Sequence, residues 1–180
     1  MNFKKTFIDG LFIINNFNSF DSRGIFVKTF HKKLFKENTI DFEIAESYYS
    51  VSKKNVIRGM HFQLPPNDHM KLVYVPYGEI IDVVIDLRKK SETYGKTLSL
   101  KLSSENKRAI MITKGFAHGF KSMIDNTITM YNVSSTYDKN SDNGILYDSI
   151  DFDWDIKRPI LSERDVSFET FNSFKSKNPF

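Results

Sequence analysis

Short runs of alternating apolar and polar residues, separated by turn signals, fill this chain, and no segment sustains an apolar period of 3.6 residues. Successive side chains of a strand point to opposite faces, so such runs fold as half-buried strands. The runs Gly24–Phe30, Lys71–Val75, Glu79–Asp86, Thr97–Leu102 and Ala109–Ile112 read as strands, with Pro76-Tyr77-Gly78 and Asp125-Asn126 as turns. One short helix is expected over His31–Glu37. Many short strands without long helices predict an all-β domain, a sandwich, barrel or double-sheet jelly roll. The 17 Phe and 8 Tyr suit sheets. At 180 residues the chain can bury a core without disulfides, so a single domain over 1–180 is expected. The last ten residues, "FNSFKSKNPF" (171–180), read as a C-terminal tail that packs on the body or on a partner.

Composition removes several function classes. The 26 Lys+Arg against 22 Asp+Glu leave a net charge of +4, and the lysines are scattered among acids and asparagines. No concentrated basic patch exists to track phosphates, so no nucleic acid partner is expected, whereas a small anionic ligand suits the mild positive bias. With no cysteine there is no disulfide framework, thiolate zinc site or cysteine nucleophile. Asp9 and Gly10 cut the first apolar run short of a signal-peptide core, and no stretch reaches the roughly 18 apolar residues of a membrane span. A cytoplasmic protein with no membrane partner is the resulting expectation.

The four histidines carry most of the chemistry. His31 opens a lysine-rich segment and reads as a solvated surface residue. In "RGMHFQ" strand alternation sets Gly59, His61 and Gln63 on one face and Met60 and Phe62 on the other, so that a core face at Met60/Phe62 turns His61 toward a cavity or solvent. A hydrogen-bonded structural histidine is the competing reading. His118, in "ITKGFAHGF", re-enters a strand after Gly115, and two histidines on separate strands of a jelly roll can meet in its mouth, where such barrels bind ligands. His69 makes a three-histidine metal site conceivable. Against it, cupin metal sites begin with His-x-His, where this chain reads His61-Phe62-Gln63, and the ammonium of Lys71 repels a cation.

Several long stretches in register carry a more specific signal: "DSRGIFVKTF" (21–30), "SKKNVIRGMHFQ" (52–63), "KLVYVPYGEIIDVVIDLRKKSETYGK" (71–96), "LSSENKRAIMITKGFAHGF" (102–120) and "PILSERD" (159–165). In these the chain resembles the dTDP-4-dehydrorhamnose 3,5-epimerases, a family of cupin-fold sugar-nucleotide epimerases. The resemblance implies a cupin-type double-sheet jelly roll with a few short helices, a homodimer, a nucleotide-sugar substrate, no metal and no cofactor. It implies His61 as the base, Asp165 as the partner that orients it, Lys71 beside the sugar carbonyl and Tyr131 as the proton donor on the opposite face. It also implies Arg23 and Arg58 near the diphosphate, Phe26, Glu46 and Tyr137 among the substrate contacts, His118 in the site wall, and Asp82 supporting Lys71 or His118 from behind. The residue types suit the reaction, because a 4-keto group acidifies the hydrogens at C3 and C5, and inversion needs a base, an acid on the other face and a cation for the enolate. Without the resemblance, Tyr131 reads as a hydrogen-bonded core tyrosine, the arginines as strand-end ion pairs and Asp82 as an edge-strand acid.

Departures from the family pattern cluster where the nucleotide binds: Lys28 and Glu46 replace a glutamate and a glutamine, Met70 and Tyr74 a glycine and an arginine, and Thr136 an aromatic, with Tyr137 displaced by one. Adjacent strand residues face opposite ways, which puts Tyr137 in doubt as a stacking platform. Glu46 can accept from the N1 and N2 donors of guanine, with Tyr74 and Tyr77 re-supplying stacking. A GDP-linked 4-keto-6-deoxy-heptose of surface polysaccharide synthesis is therefore expected ahead of dTDP-4-keto-6-deoxy-glucose. Whether C3, C5 or both are inverted is open at this point. The rival readings are a sugar-nucleotide 3,4-ketoisomerase, a non-catalytic sugar-nucleotide-binding cupin and a metal-dependent cupin oxygenase.

Overall fold

The alternation in the sequence becomes thirteen strands in a computed structural model that describes residues 1–180. The chain opens with β1 (Asn2–Lys5) and β2 (Leu11–Asn15), then a hairpin of β3 (Phe17–Asp21) and β4 (Gly24–Lys28) and the helix α1 (Lys32–Glu37). There follow β5 (Glu46–Ser52), β6 (Ile57–Gln63), β7 (Lys71–Tyr77), β8 (Glu79–Asp86) and β9 (Thr97–Ser103). Next come β10 (Arg108–Ile112), β11 (Phe116–Ser122), β12 (Thr127–Val133) and β13 (Asp142–Gly144), and two helical turns, α2 (Glu163–Val166) and α3 (Phe171–Phe174), end the chain. Six strands pair in the order β1-β2-β10-β7-β12-β5 and five in the order β13-β6-β11-β8-β9. All these pairings are antiparallel. Two such sheets with neighbours far apart in sequence form the double-sheet jelly roll of the cupin type, with few and short helices. No helix is long and apolar enough to cross a membrane.

Both sheets are packed on both faces over most of their strands, the outer side of β5 excepted, where Tyr49 and Val51 are exposed. Between the sheets, Val73 and Val75 of β7 and Ile110 and Ile112 of β10 meet Ile80 and Val84 of β8 and Phe116 and Phe120 of β11. The opposite side of the six-stranded sheet, through Leu72 and Met111, packs under Phe35 of α1 and Phe42. The opposite side of the five-stranded sheet carries Met60, Phe62, Val83 and Ile85 beneath Trp154, Phe171 and Phe174. The Met60/Phe62 face is therefore an outer face, covered by the C-terminal segment, and His61 points the other way, into the space between the sheets. Residues 171–180 lie on the body: Phe62 packs on Phe174 and Phe180 with ring centroids 5.1 and 5.7 Å apart, and Asn178 Nδ2 donates to the Leu87 carbonyl at 2.7 Å.

Three local expectations change. β4 stops at Lys28, and Phe30 instead packs on Phe35 at 4.9 Å between centroids. β7 continues through Tyr77, and Gly78 makes the turn at φ +87°, where a Cβ would stand 2.4 Å from Thr127 Oγ1. His31 caps α1, its Nδ1 accepting from the Leu34 N–H at 3.4 Å. The Asp125-Asn126 turn joins β11 and β12 as expected, with Asn126 at φ 60°. The β3–β4 hairpin joins neither sheet and exposes Phe20 at 82%.

Phe174 is 2% exposed. Phe174→Ala is expected to lower unfolding stability by about 3–5 kcal/mol, the usual cost of a phenyl-sized cavity. Urea unfolding followed through the single tryptophan, Trp154, which shares that cluster, checks it.

Candidate active site

The apolar packing between the sheets gives way to a cavity of about 350 Å³, lined from both sheets. His61 on β6 and His118 on β11 reach it from the five-stranded sheet, and Lys71 on β7 and Tyr131 on β12 from the six-stranded one. His61 and His118 are cross-strand partners, and the β6–β11 register shifts directly after His118. Gly59 and Gly119 let the two strands close up here, since a Cβ on Gly59 would lie 2.6 Å from Gly119 Cα.

Asp165 arrives from a distant part of the chain. The Ile160 carbonyl accepts from the Ile57 N–H at 3.0 Å, which pins the segment after Pro159 against β6. Ser162 then caps α2, its Oγ accepting from the Asp165 N–H at 3.1 Å. The carboxylate so placed accepts from His61 Nε2 at 2.7 Å and from the Gly59 N–H at 3.4 Å, which leaves His61 Nδ1 free on the cavity side. Burial holds the His61 imidazole below its ordinary range, and the hydrogen bond to Asp165 opposes that without overcoming it. Burial pushes Asp165 up, but its hydrogen bonds from His61 and Gly59 win and keep its carboxyl below the usual range. The pair is a neutral imidazole backed by a carboxylate.

Lys71 is 7% exposed and donates from Nζ to the His61 carbonyl at 3.1 Å. Burial lowers its pKa to about 8, while Asp142 and Asp82 pull it back up. Burial drives Tyr131 far above the ordinary phenol range, and Tyr48 and Asp82 add to this, so Tyr131 keeps its proton at neutral pH. Asp82 supports His118, accepting from its Nε2 at 2.7 Å, and has no direct bond to Lys71. The cavity wall thus holds two His–Asp pairs, an ammonium and a phenol.

The outer part of the cavity holds Arg58, Glu46 and Tyr137. Arg58 Nε donates to Ser52 Oγ at 3.1 Å. Glu46 Oε2 accepts from the Tyr137 N–H at 2.8 Å, so the glutamate holds the loop that carries the tyrosine, and Tyr137 lines the cavity despite its displaced position. Arg23 and Phe26 are not brought in. They sit on the β3–β4 hairpin away from the cavity of their own chain, with Arg23 paired to Asp21 at 2.6 Å and 88% exposed. Tyr74 packs with the α1 cover on the far side of its sheet and Tyr77 ends β7 in solvent, so neither supplies stacking in the cavity.

The sequence reading missed several lining residues. Asp142 and Arg164 form an ion pair at 2.7 Å at the rim, Arg164 being the residue before Asp165 in "SERD". Tyr48 and Ser50 alternate along β5, a spacing that signals a shared face. His69 lies with Gln63 and Ser135, its Nδ1 3.1 and 3.2 Å from them, and burial lowers its pKa to about 3. No group of three or more His, Asp or Glu side chains is placed to hold a metal ion. The set present can remove a proton at a neutral imidazole, return one from a phenol and meet a developing oxyanion with an ammonium.

The family model for dTDP-4-dehydrorhamnose 3,5-epimerase matches residues 5–173. The chain is 40% identical over 172 residues to the dTDP-4-dehydrorhamnose 3,5-epimerase of Methanothermobacter thermautotrophicus, covering 93% of this chain and 92% of that protein. It is 38% identical over 174 residues to the enzyme of the same name from Shigella flexneri, covering 95% and 96%. The crystal structure of dTDP-6-deoxy-D-glucose-3,5-epimerase from Legionella pneumophila in complex with dTDP-4-keto-L-rhamnose matches at a TM-score of 0.92 and 34% identity, covering 98% of this chain and 95% of that one. A family model over nearly the whole chain, and relatives matched over nearly their whole length, show that the chain belongs to the dTDP-4-dehydrorhamnose 3,5-epimerase family.

Proposed function

We propose that this protein inverts C3 and C5 of dTDP-4-keto-6-deoxy-glucose through enolate intermediates, with His61 as base and Tyr131 as acid. The observation that carries the reading is the opposition of a neutral, carboxylate-backed imidazole on one sheet to a protonated phenol on the other, with the Lys71 ammonium in the same cavity. His61 Nδ1 takes the hydrogen from the carbon beside the carbonyl, Asp165 steadies the imidazolium, Lys71 stabilises the 4-oxyanion, and Tyr131 delivers a proton from the opposite face. His118, fixed by Asp82, closes the wall beside the carbonyl. Arg58 meets the diphosphate and Tyr137 the base.

The dTDP-linked substrate is preferred over the GDP-linked one on two grounds. The relatives carry dTDP in their names, and Glu46 has one carboxylate oxygen committed to the Tyr137 N–H. The oxygen left free suits the one N3–H donor of thymine, whereas bidentate pairing with the N1 and N2 donors of guanine has to share the oxygen that already holds the Tyr137 N–H. A homodimer fits the exposed β3–β4 hairpin and the unpaired outer edge of β5, where Tyr49 is 63% exposed. A second copy covering these surfaces brings Arg23 and Phe26 of the hairpin into an interface.

Proton NMR of the purified protein with dTDP- and GDP-linked 4-keto-6-deoxy sugars tests the reading. New C3 and C5 epimers are expected from the dTDP substrate, and His61→Asn is expected to lower the rate about 10³-fold, within the range of general-base contributions. A product with its carbonyl moved to C3 would instead make the protein a ketoisomerase, and an undiminished His61→Asn would remove His61 as base.

The pH profile of kcat/KM follows from the same groups. His61 must be neutral and its pKa is lowered, so activity falls only as pH drops through a value below 6.5. Lys71 must be charged and its pKa is about 8, so activity falls as pH rises through that value. Lys71→Met is expected to lose most of the rate together with the alkaline limb; persistence of that limb would assign it to another group.

A further inference from the structure

His61, Lys71 and His118 are each fixed by a hydrogen bond to the protein, to Asp165, the His61 carbonyl and Asp82. Tyr131 makes no hydrogen bond of ordinary geometry to the protein; the Ser50 hydroxyl acts on the phenol from farther off and has no other partner in the buried wall. The Tyr131 ring is held by packing alone, on the apolar cluster between the sheets and on two aromatic neighbours. Tyr48 on β5 is its cross-strand partner, and the two rings stack with centroids 5.0 Å apart and an interplanar angle of 20°. On another side the His118 ring meets it edge-on at 6.2 Å and 72°. Rotation of a tyrosine about its side-chain torsions swings the hydroxyl through several ångströms, and proton delivery to one face of a planar enolate tolerates little of that.

We infer that Tyr48 is a positioning residue for Tyr131: its stacked ring holds the phenol in the direction from which the enolate is protonated, and so sets how often deprotonation ends in inversion. This rests on Tyr131 as the acid. The ring of Tyr48 does this and not its hydroxyl, which makes no hydrogen bond in the protein although Tyr48 lines the cavity and is 42% exposed. It also makes the yield of inversion depend on β5, the edge strand of its sheet, through one cross-strand pair.

The atoms balance simply. His61 removes a ring hydrogen with its bonding pair left on carbon, giving the enolate. Either His61 returns a solvent-exchanged proton to the same face, which is exchange without inversion, or Tyr131 protonates the other face, which is inversion, after which His61 gives its proton to solvent and Tyr131 takes one from it.

In D2O with dTDP-4-keto-6-deoxy-glucose, the ratio of ring-hydrogen exchange to epimer formation separates these fates. Tyr48→Ala is expected to raise that ratio about tenfold by lowering kcat for inversion, with little change in KM, and Tyr48→Phe, which keeps the ring, is expected to restore the ratio. Circular dichroism and unfolding of both variants establish that they are folded, and the Phe variant remains informative if the Ala variant is not. A rise in KM at unchanged ratio would make Tyr48 a substrate contact and overturn the inference, as would a Phe variant with the raised ratio. Tyr131→Phe serves as the control. If it blocks inversion while Tyr48→Ala leaves the ratio unchanged, the inference alone fails; if it inverts at the wild-type rate, the acid assignment fails and the inference with it.

Discussion

Ionisable side chains placed between two sheets lose most of their hydration, and much of the surrounding structure serves to make that burial tolerable. An unpaired charge in such a place is costly, so buried ionisable groups carry partners or shift toward the neutral form. Both responses appear here. His61 is neutral and tied to Asp165, Asp165 stays a carboxylate because His61 and Gly59 hydrogen-bond to it, and Lys71 gives up its proton near pH 8 instead of at its ordinary value. These shifts also suit the groups for chemistry, since a base has to be neutral and a cation easily desolvated at the pH of work. The double-sheet frame permits this because both outer faces carry their own covers, which leaves the inner face of β6, β7, β11 and β12 for polar residues over a limited stretch.

Covering the five-stranded sheet also brings the Asp165 carboxylate to His61. The segment after Pro159 is held to β6 by backbone hydrogen bonds, the Ser162 cap sets the turn that aims Asp165, and the chain then continues into Phe171 and Phe174 over Met60 and Phe62. Folding of the C-terminal segment and assembly of the His61–Asp165 pair are therefore parts of one packing event. The same proximity puts Arg164 at the cavity rim, where Asp142 holds it.

Alternation made the strands of the two sheets legible, because period-two patterning is a direct consequence of pleating. It did not reveal which face of β6 was the inner one. Met60 and Phe62 look like inner-core residues until the C-terminal segment is seen above them, and that segment, made of turns and one-turn helices, has no period to announce it. For the site, the resemblance of "RGMHFQ" and "PILSERD" to family motifs identified residues whose geometry suits the reaction. Tyr48 escaped because its importance lies in register: only the β5–β12 pairing sets it against Tyr131, 83 positions away in the chain. Asp142 escaped because it sits in a polar loop-like stretch that pairs as a three-residue strand. Arg23 and Phe26 stand apart from the cavity because the hairpin that bears them joins neither sheet of its own chain.

With His61 on one sheet and Tyr131 on the other, base and acid are proposed to reach opposite faces of one sugar ring. A crystal structure of the protein with a dTDP-linked 6-deoxy sugar that lacks the 4-keto group, and so cannot react, tests it most directly. His61 Nδ1 and the Tyr131 hydroxyl are expected on opposite faces of the pyranose, each about 3–3.5 Å from the carbons at which protons move, with Lys71 Nζ beside O4. A ring bound with both groups on the same face, or with Lys71 turned away from O4, would contradict it.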